Sequence, residues 1–329
     1  MGKVYIQAAE QISIQNPLSE EWMEQPIVYH EPFVKAVNPA FREYIAPNEA
    51  RRMGNIMKRA IVTSLKVLKE TGINHPDAII TGTSIGSLNY TEKFLDDLVE
   101  NGEESLSPTY FMQTTHNTVS SAISIYTATH SYNTTYSHGG ISFELALKDA
   151  WMQFNLGQIS NALVGGHDEM VESYYELLRK TGYVGVEGMV PCGECSMSMM
   201  LNTKASTDNL CELAGVSVFR TKSVQNIRKQ LEALVEKANI KVEAIQMVIT
   251  GVSGNPENDR LYQPVLDELF PQVEHLQYKQ LFGENYTISA LGVYAAAHLM
   301  KKQGMPVMLF VNCTTNGDCA LILLKGIRF

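Results

Sequence analysis

Residues 134–169, TTYSHGGISFELALKDAWMQFNLGQISNALVGGHDE, constrain this chain more than any other stretch. Thr134, Thr135 and Tyr136 form a β-branched and aromatic run of strand type. Ser137-His138-Gly139-Gly140 makes a glycine-rich corner. Behind it Phe143, Leu147, Ala150, Trp151 and Phe154 recur at the spacing of a helix, and Gly157 sits where a left-handed residue would end that helix. Residues 159–164 read as a buried strand, closed by Gly165-Gly166 and the polar trio His167-Asp168-Glu169. A strand that turns abruptly into a buried helix sets its corner residue at a helix N-terminus. Free N–H groups and the helix dipole there favour an anion or a nucleophile.

The remaining segments alternate in the same way. Residues 4–14 read as a bent strand and 19–46 as an irregular, proline-rich surface excursion. A helix is expected from Pro47, with Met53, Met57, Ile61, Leu65 and Leu68 at i, i+4 spacing and Gly72 at its end. Strands follow at 78–81, 197–201, 210–218, 245–250, 306–312 and 319–324, with helices at 91–98, 224–238, 258–269 and 287–300. Alternation of this kind implies α/β layers. A length of 329 residues is enough for two domains or one large duplicated one. A net charge of −9 with no long basic run argues against nucleic acid and anionic membrane as partners. No apolar stretch approaches the roughly 20 residues needed to span a bilayer, and the N-terminus lacks a signal-peptide core. A cytoplasmic chain is expected.

Three motifs carry possible chemistry. Cys192-Gly193-Glu194-Cys195 has metal or redox spacing, but a tetrahedral zinc site wants a second pair, and the five cysteines read as free thiols. No metal and no cofactor are expected. Gly82-Thr83-Ser84-Ile85-Gly86 fits the hydrolase elbow, which would make Ser84 a nucleophile, yet Ser87-Leu88-Asn89-Tyr90 separates it from the following helix. Arg51, Arg52, Lys58 and Arg59 offer a local basic patch or a plain solvated helix face. His116 and His130 read as hydrogen-bonded structural histidines.

The corner, the Ala146-Leu147 helix, Gly157, Leu163-Val164, Gly165-Gly166 and Gly193-Glu194-Cys195-Ser196 before a buried strand together resemble the β-ketoacyl synthases, condensing enzymes of the thiolase fold. The resemblance spans nearly the whole chain and implies a duplicated fold, two similar halves in alternating α/β/α/β/α layers, here 1–205 and 206–329. It places the family's cysteine nucleophile at Gly140, or Gly139 if the register is one residue out. The family's two histidines fall at Gly251, after the strand that ends at Thr250, and at Glu284 in Gly283-Glu284. The terminal loop falls at 312–318. A nucleophile holds the acyl thioester and two imidazoles stabilise the enolate, and none of the three residues is present. The resemblance therefore points to a nucleophile-less, chain-length-factor-like subunit in fatty acid, aryl-polyene or polyketide synthesis. Its partners would be a catalytic ketosynthase, or a second copy of itself, and an acyl carrier protein, with Phe111 and Met112 as acyl-channel contacts. The alternative is an acyltransferase using Ser137 and His138, although neighbours on a strand point to opposite faces.

Overall fold

The computed structural model describes residues 2–103 and 106–327. Its strands are β1 (Val4–Ile12), β2 (Ala78–Gly82), β3 (Tyr132–Tyr136), β4 (Asn161–Asp168), β5 (Cys195–Asn202), β6 (Cys211–Arg220), β7 (Met247–Thr250), β8 (Glu274–Gln277), β9 (Val307–Cys313) and β10 (Asp318–Lys325). They form one sheet in the order β3-β2-β4-β5-β1-β6-β10-β9-β7-β8. Reading outward from the centre, β1-β5-β4-β2-β3 is repeated as β6-β10-β9-β7-β8, five strands on in sequence. The senses repeat too. β2 is parallel to β3 and β4 while β5 is antiparallel to β4 and β1, and β7, β8, β9, β10 and β6 follow the same rule. Three residue pairs, Val4 with Leu213, Tyr5 with Glu212 and Ile6 with Cys211, join the halves.

The helices are α1 (Pro47–Ala50), α2 (Asn55–Thr71), α3 (Leu88–Asn101), α4 (Pro108–Thr114), α5 (Thr118–Tyr126), α6 (Ser142–Asn155), α7 (Glu172–Lys180), α8 (Val224–Lys237), α9 (Pro256–Asp259), α10 (Tyr262–Pro264), α11 (Tyr278–Phe282) and α12 (Ser289–Gln303). Strand alternation assigns each to a layer. Ala162 and Val164 of β4 and Met308 and Phe310 of β9 face a middle core built on α6 and α12. Leu163 faces α2 and α5 on one outer side, and Leu309 and Val311 face α8 on the other. Successive side chains of a strand point to opposite faces, so apolar runs of this kind are buried on both. In β1 the parity changes between Ile6 and Ala8, where a bulge shifts the register. Helix α12 is apolar or small almost all round and is buried on nearly every side, as a middle-layer helix must be.

Two sequence expectations are corrected. The helix expected to run from Pro47 is broken at 51–54, where Gly54 takes an extended backbone and packs under Tyr90 so closely that a Cβ would lie 2.8 Å from the ring. The helix expected over 258–269 is three short pieces ending in a π-turn, Val265–Leu269. The 19–46 excursion is irregular and mostly exposed, as expected, and Trp22 anchors it against Phe282 and Tyr294. No helix among the described residues is long and apolar enough to cross a membrane.

Candidate functional site

The corner forms as its composition demands. β3 ends at Tyr136, Gly139 takes the left-handed φ of +53° and a 3-10 turn over Gly139–Ile141 leads into α6. Ser142 ties the corner, its hydroxyl accepting from the His138 N–H at 2.8 Å and donating to the Gly139 carbonyl at 2.8 Å. The N-terminus of α6 comes very close to the end of β2, where a Cβ on Gly82 would lie 2.5 Å from the Phe143 nitrogen.

The fold gathers Gly140, Glu284 and the terminal loop around one small space, with Gly251 against its wall. The Gly140 carbonyl accepts from Asn312 Nδ2 at 2.8 Å, and the same amide donates to Glu144 Oε1 at 2.6 Å. The Tyr262 hydroxyl lies 3.1 Å from Asn312 Oδ1 and accepts from the Cys313 N–H at 2.9 Å. Glu284 pairs with Lys279 at 2.7 Å, each side chain 6% exposed. The backbone around Glu284 is laced to the 191–193 turn, with Glu284 N–H donating to the Pro191 carbonyl and Gly193 N–H to the Glu284 carbonyl. A Cβ on Gly251 would meet Tyr278 Oη at 2.7 Å and Tyr262 Oη at 2.8 Å. One on Gly140 would lie 3.0 Å from the Thr314 methyl. The cavity left between Gly140, Tyr278, Lys279, Glu284 and Asn312 is 20 Å³, about room for one water. On its outer side Gly140 opens to a groove of 500 Å³ walled by His138, Tyr183, Tyr286, Thr314 and Asp318.

Burial dominates the electrostatics. Glu144 is fully buried, one oxygen has no partner, and its pKa is pushed up to about 7. Burial also raises Glu284, against the lowering pull of Lys279. His167 is pushed down to about 3 by burial, so it is a neutral imidazole with Nδ1 2.9 Å from Ser196 Oγ.

The remaining candidates fall as follows. Ser137 and His138 are both exposed and do not pair; His138 Nε2 instead lies 3.7 Å from Asp318 Oδ2. A nucleophile needs its base within hydrogen-bond reach, and no such bond joins these two among the described residues. Ser84 is not on an elbow. Its turn wraps the buried Asp168 carboxylate, which accepts from the Thr83 hydroxyl (2.6 Å) and the N–H groups of Ser84, Ile85 and Gly86 (3.0, 3.0 and 3.1 Å). The nearest imidazole, His116, touches the Ser84 carbonyl at 3.2 Å and not its hydroxyl, so the hydrolase constellation is absent among the described residues. Phe111 and Met112 lie on the outside of α4, 57% and 68% exposed, with Phe111 against Phe94. The basic patch loses Arg59, which is buried and ion-paired to Glu194 at 2.9 Å. His130 is exposed. Cys192 and Cys195 are buried thiols whose pKa values burial raises, and Cys195 Sγ sits on the Thr287 carbonyl at 3.4 Å.

Tyr262, Tyr278, Lys279 and Glu144 were not foreseen. Tyr278 and Lys279 sit in a segment without clear periodicity, and Glu144 lies beside the apolar stripe of α6, where nothing in the sequence marks it as buried.

Layered halves around two buried helices, with a strand-to-helix corner facing a glycine turn and a C-terminal loop, define a condensing-enzyme scaffold of the thiolase type. Residues 20–253 match the family described as beta-ketoacyl synthase, N-terminal domain, more than half of the chain, and the chain belongs to that family. Among solved structures it is similar to a chain of the ishigamide ketosynthase/chain length factor, at TM-score 0.84 and 14% identity, covering 99% of this chain and 100% of that one. The ketosynthase ApeO in complex with its chain length factor ApeC from Xenorhabdus doucetiae matches at TM-score 0.81 and 14% identity over 99% and 98%. A beta-ketoacyl synthase from Burkholderia phymatum STM815 matches at TM-score 0.79 and 13% identity over 100% of both. At such identities the likeness is one of fold. A sequence search of curated proteins found no match.

Proposed function

We propose that the chain is a beta-ketoacyl synthase homologue without the family's catalytic set, acting as the chain-length-factor-type partner of a catalytic ketosynthase in fatty acid, aryl-polyene or polyketide synthesis on an acyl carrier protein. What supports this reading is the absence of a nucleophile or imidazole at the three positions the resemblance assigns, together with the crowding around Gly251. The positions that the resemblance assigns to cysteine and two histidines are Gly140, Gly251 and Glu284. A Cβ at Gly251 would already meet Tyr278 and Tyr262, and Glu284 is held in a buried pair with Lys279. The 20 Å³ cavity beside Lys279 and Glu284 has about room for one water. Glycine has no nucleophile, and a carboxylate paired to Lys279 opposes an enolate rather than stabilising it.

A partner is supported from outside the site. Strand β3 is a sheet edge with its backbone unpaired on one side, and such edges are normally covered. Nearby α4 and α5 expose Phe111, Met112 and Ile125 (81%), and α3 exposes Val99 (84%), an apolar surface of the kind that marks an interface. On this reading Phe111 and Met112 meet the acyl channel across the interface, in the partner's half of a dimer. The chain divides into halves at 1–205 and 206–329, in keeping with the repeated strand order.

The test is acylation. The purified chain is incubated with acyl thioesters and acyl carrier protein, and its intact mass is measured. No adduct is expected. A stable acyl adduct on any residue, Ser137, His138 and Ser84 included, would overturn the nucleophile-less reading.

A further inference from the structure

A cleft of 330 Å³ opens between the C-terminal half of α6 and the groove formed by β6 and α8, away from the Gly140 corner. Its lining is mainly apolar, with Trp151, Met152, Leu156 and Leu234 beside the neutral polar Asn155, Ser217 and Gln230, and Met152 and Leu156 are 50% and 68% exposed. Two lysines stand at its rim. Lys148 Nζ donates to the Val216 carbonyl at 2.8 Å, which fixes the ammonium at the mouth. Lys237 ends α8 and lies close enough that, after burial, its charge is what lowers the Lys148 pKa. No Asp or Glu lines the cleft, and neither lysine joins an ion pair among the described residues. On a chain of net charge −9, two adjacent cations without a counter-ion above an apolar trough call for a ligand that is anionic at one end and greasy along its length.

We propose that this cleft binds an aliphatic monocarboxylate, its head between Lys148 and Lys237 and its tail along Trp151, Met152, Leu156 and Leu234. A single unbranched chain of roughly ten carbons suits a cleft at the small end of the roughly 300–1,000 Å³ range of ligand sites. The two lysines contribute orientation and charge recognition, and the apolar lining contributes affinity that grows with tail length. The proposal is independent of the reading of the Gly140 site, because no residue is shared between the two.

The experiment is calorimetric titration of the full chain with hexanoate, octanoate and decanoate, and with decanol as the uncharged control. Affinity should rise by up to about fourfold per methylene, and decanol should bind at least about tenfold more weakly than decanoate. A bromodecanoate should quench Trp151, which lines the cleft, in preference to the buried Trp22. Lys148→Gln with Lys237→Gln should cost decanoate about tenfold or more and leave decanol unchanged, and Ala233→Trp should block both. Equal binding of decanoate and decanol, the absence of heat and quenching below the micellar limit, or undiminished binding in the double lysine variant would each overturn the proposal. So would shielding of Trp151 by a co-purified subunit in place of the carboxylate, which would assign the cleft to a protein.

Discussion

Glu284→Gln isolates the feature that fills the candidate site. The pair it breaks is 2.7 Å long and both side chains are 6% exposed. Removing one member of such a pair leaves a buried charge without compensation, which costs about 3–5 kcal/mol. The same cost attaches to Glu284→His, so an imidazole placed at this position alone is expected to destabilise the chain. Lys279→Met behaves differently with pH. Burial already raises the Glu284 pKa and Lys279 opposes that rise; without the lysine the carboxyl moves further up. A raised carboxyl contributes its stability at low pH and loses it as pH rises through the folded value. Lys279→Met should therefore be mild near pH 5 and severe near pH 8, whereas Glu284→Gln has no relief in acid. The apolar double variant Lys279→Met, Glu284→Leu should recover at least about 2 kcal/mol relative to the worse single change. Urea unfolding followed by circular dichroism, at pH 5 and pH 8, gives all four values. If Glu284→Gln unfolds within about 1 kcal/mol of the parent, the pair is not the buried plug described above and the argument fails.

Further outcomes follow from the same core. Glu144→Gln should stabilise the chain at pH 8 by up to about 3 kcal/mol, since a carboxyl moved from 4.5 to about 7 carries that much free energy; the parent's stability should fall from pH 4.5 to 7 by this contribution, and the variant should lack it in a pH-resolved unfolding series. Asp168→Asn puts an amide N–H against the donors of Thr83, Ser84, Ile85 and Gly86 and should cost about 3 kcal/mol, with loss of hydrogen-exchange protection over 82–86. Gly251→His drives a side chain into Tyr262 and Tyr278 and should cost about 3 kcal/mol or more by overpacking, read as a lowered urea midpoint. Phe111→Glu should leave the isolated chain's unfolding within about 0.5 kcal/mol, because the ring is exposed, while abolishing co-elution with a ketosynthase partner.

The sequence carried the fold well because its strands are buried on both faces and its helices are punctuated by glycine. Gly139 is demanded by its left-handed φ and Gly165-Gly166 by close packing, and the small-residue helix expected over 287–300 forms as Ser289–Gln303. Less legible was whatever depends on three-dimensional neighbours. Nothing in Pro47 to Gly72 announces that the chain turns extended at Gly54 and packs there against Tyr90. Arg59 looks like surface until Glu194, far away in sequence, is placed beside it. The positions at Gly140, Gly251 and Glu284 were reached by register alone, but Tyr262, Tyr278 and Lys279 fill the space between them from segments that have no motif. Ser84 shows the opposite error: its pentapeptide fits a nucleophile elbow, yet its N–H groups serve a buried aspartate.

The central claim is that this chain works only beside a catalytic ketosynthase, and reconstitution tests it most directly. The chain and a cysteine-bearing ketosynthase from its genomic neighbourhood are expressed singly and together, resolved by size exclusion and assayed for condensation on acyl carrier protein. The account predicts a heterodimer that elongates and an isolated chain that is inert. Condensation or acyl transfer by this chain alone would contradict it.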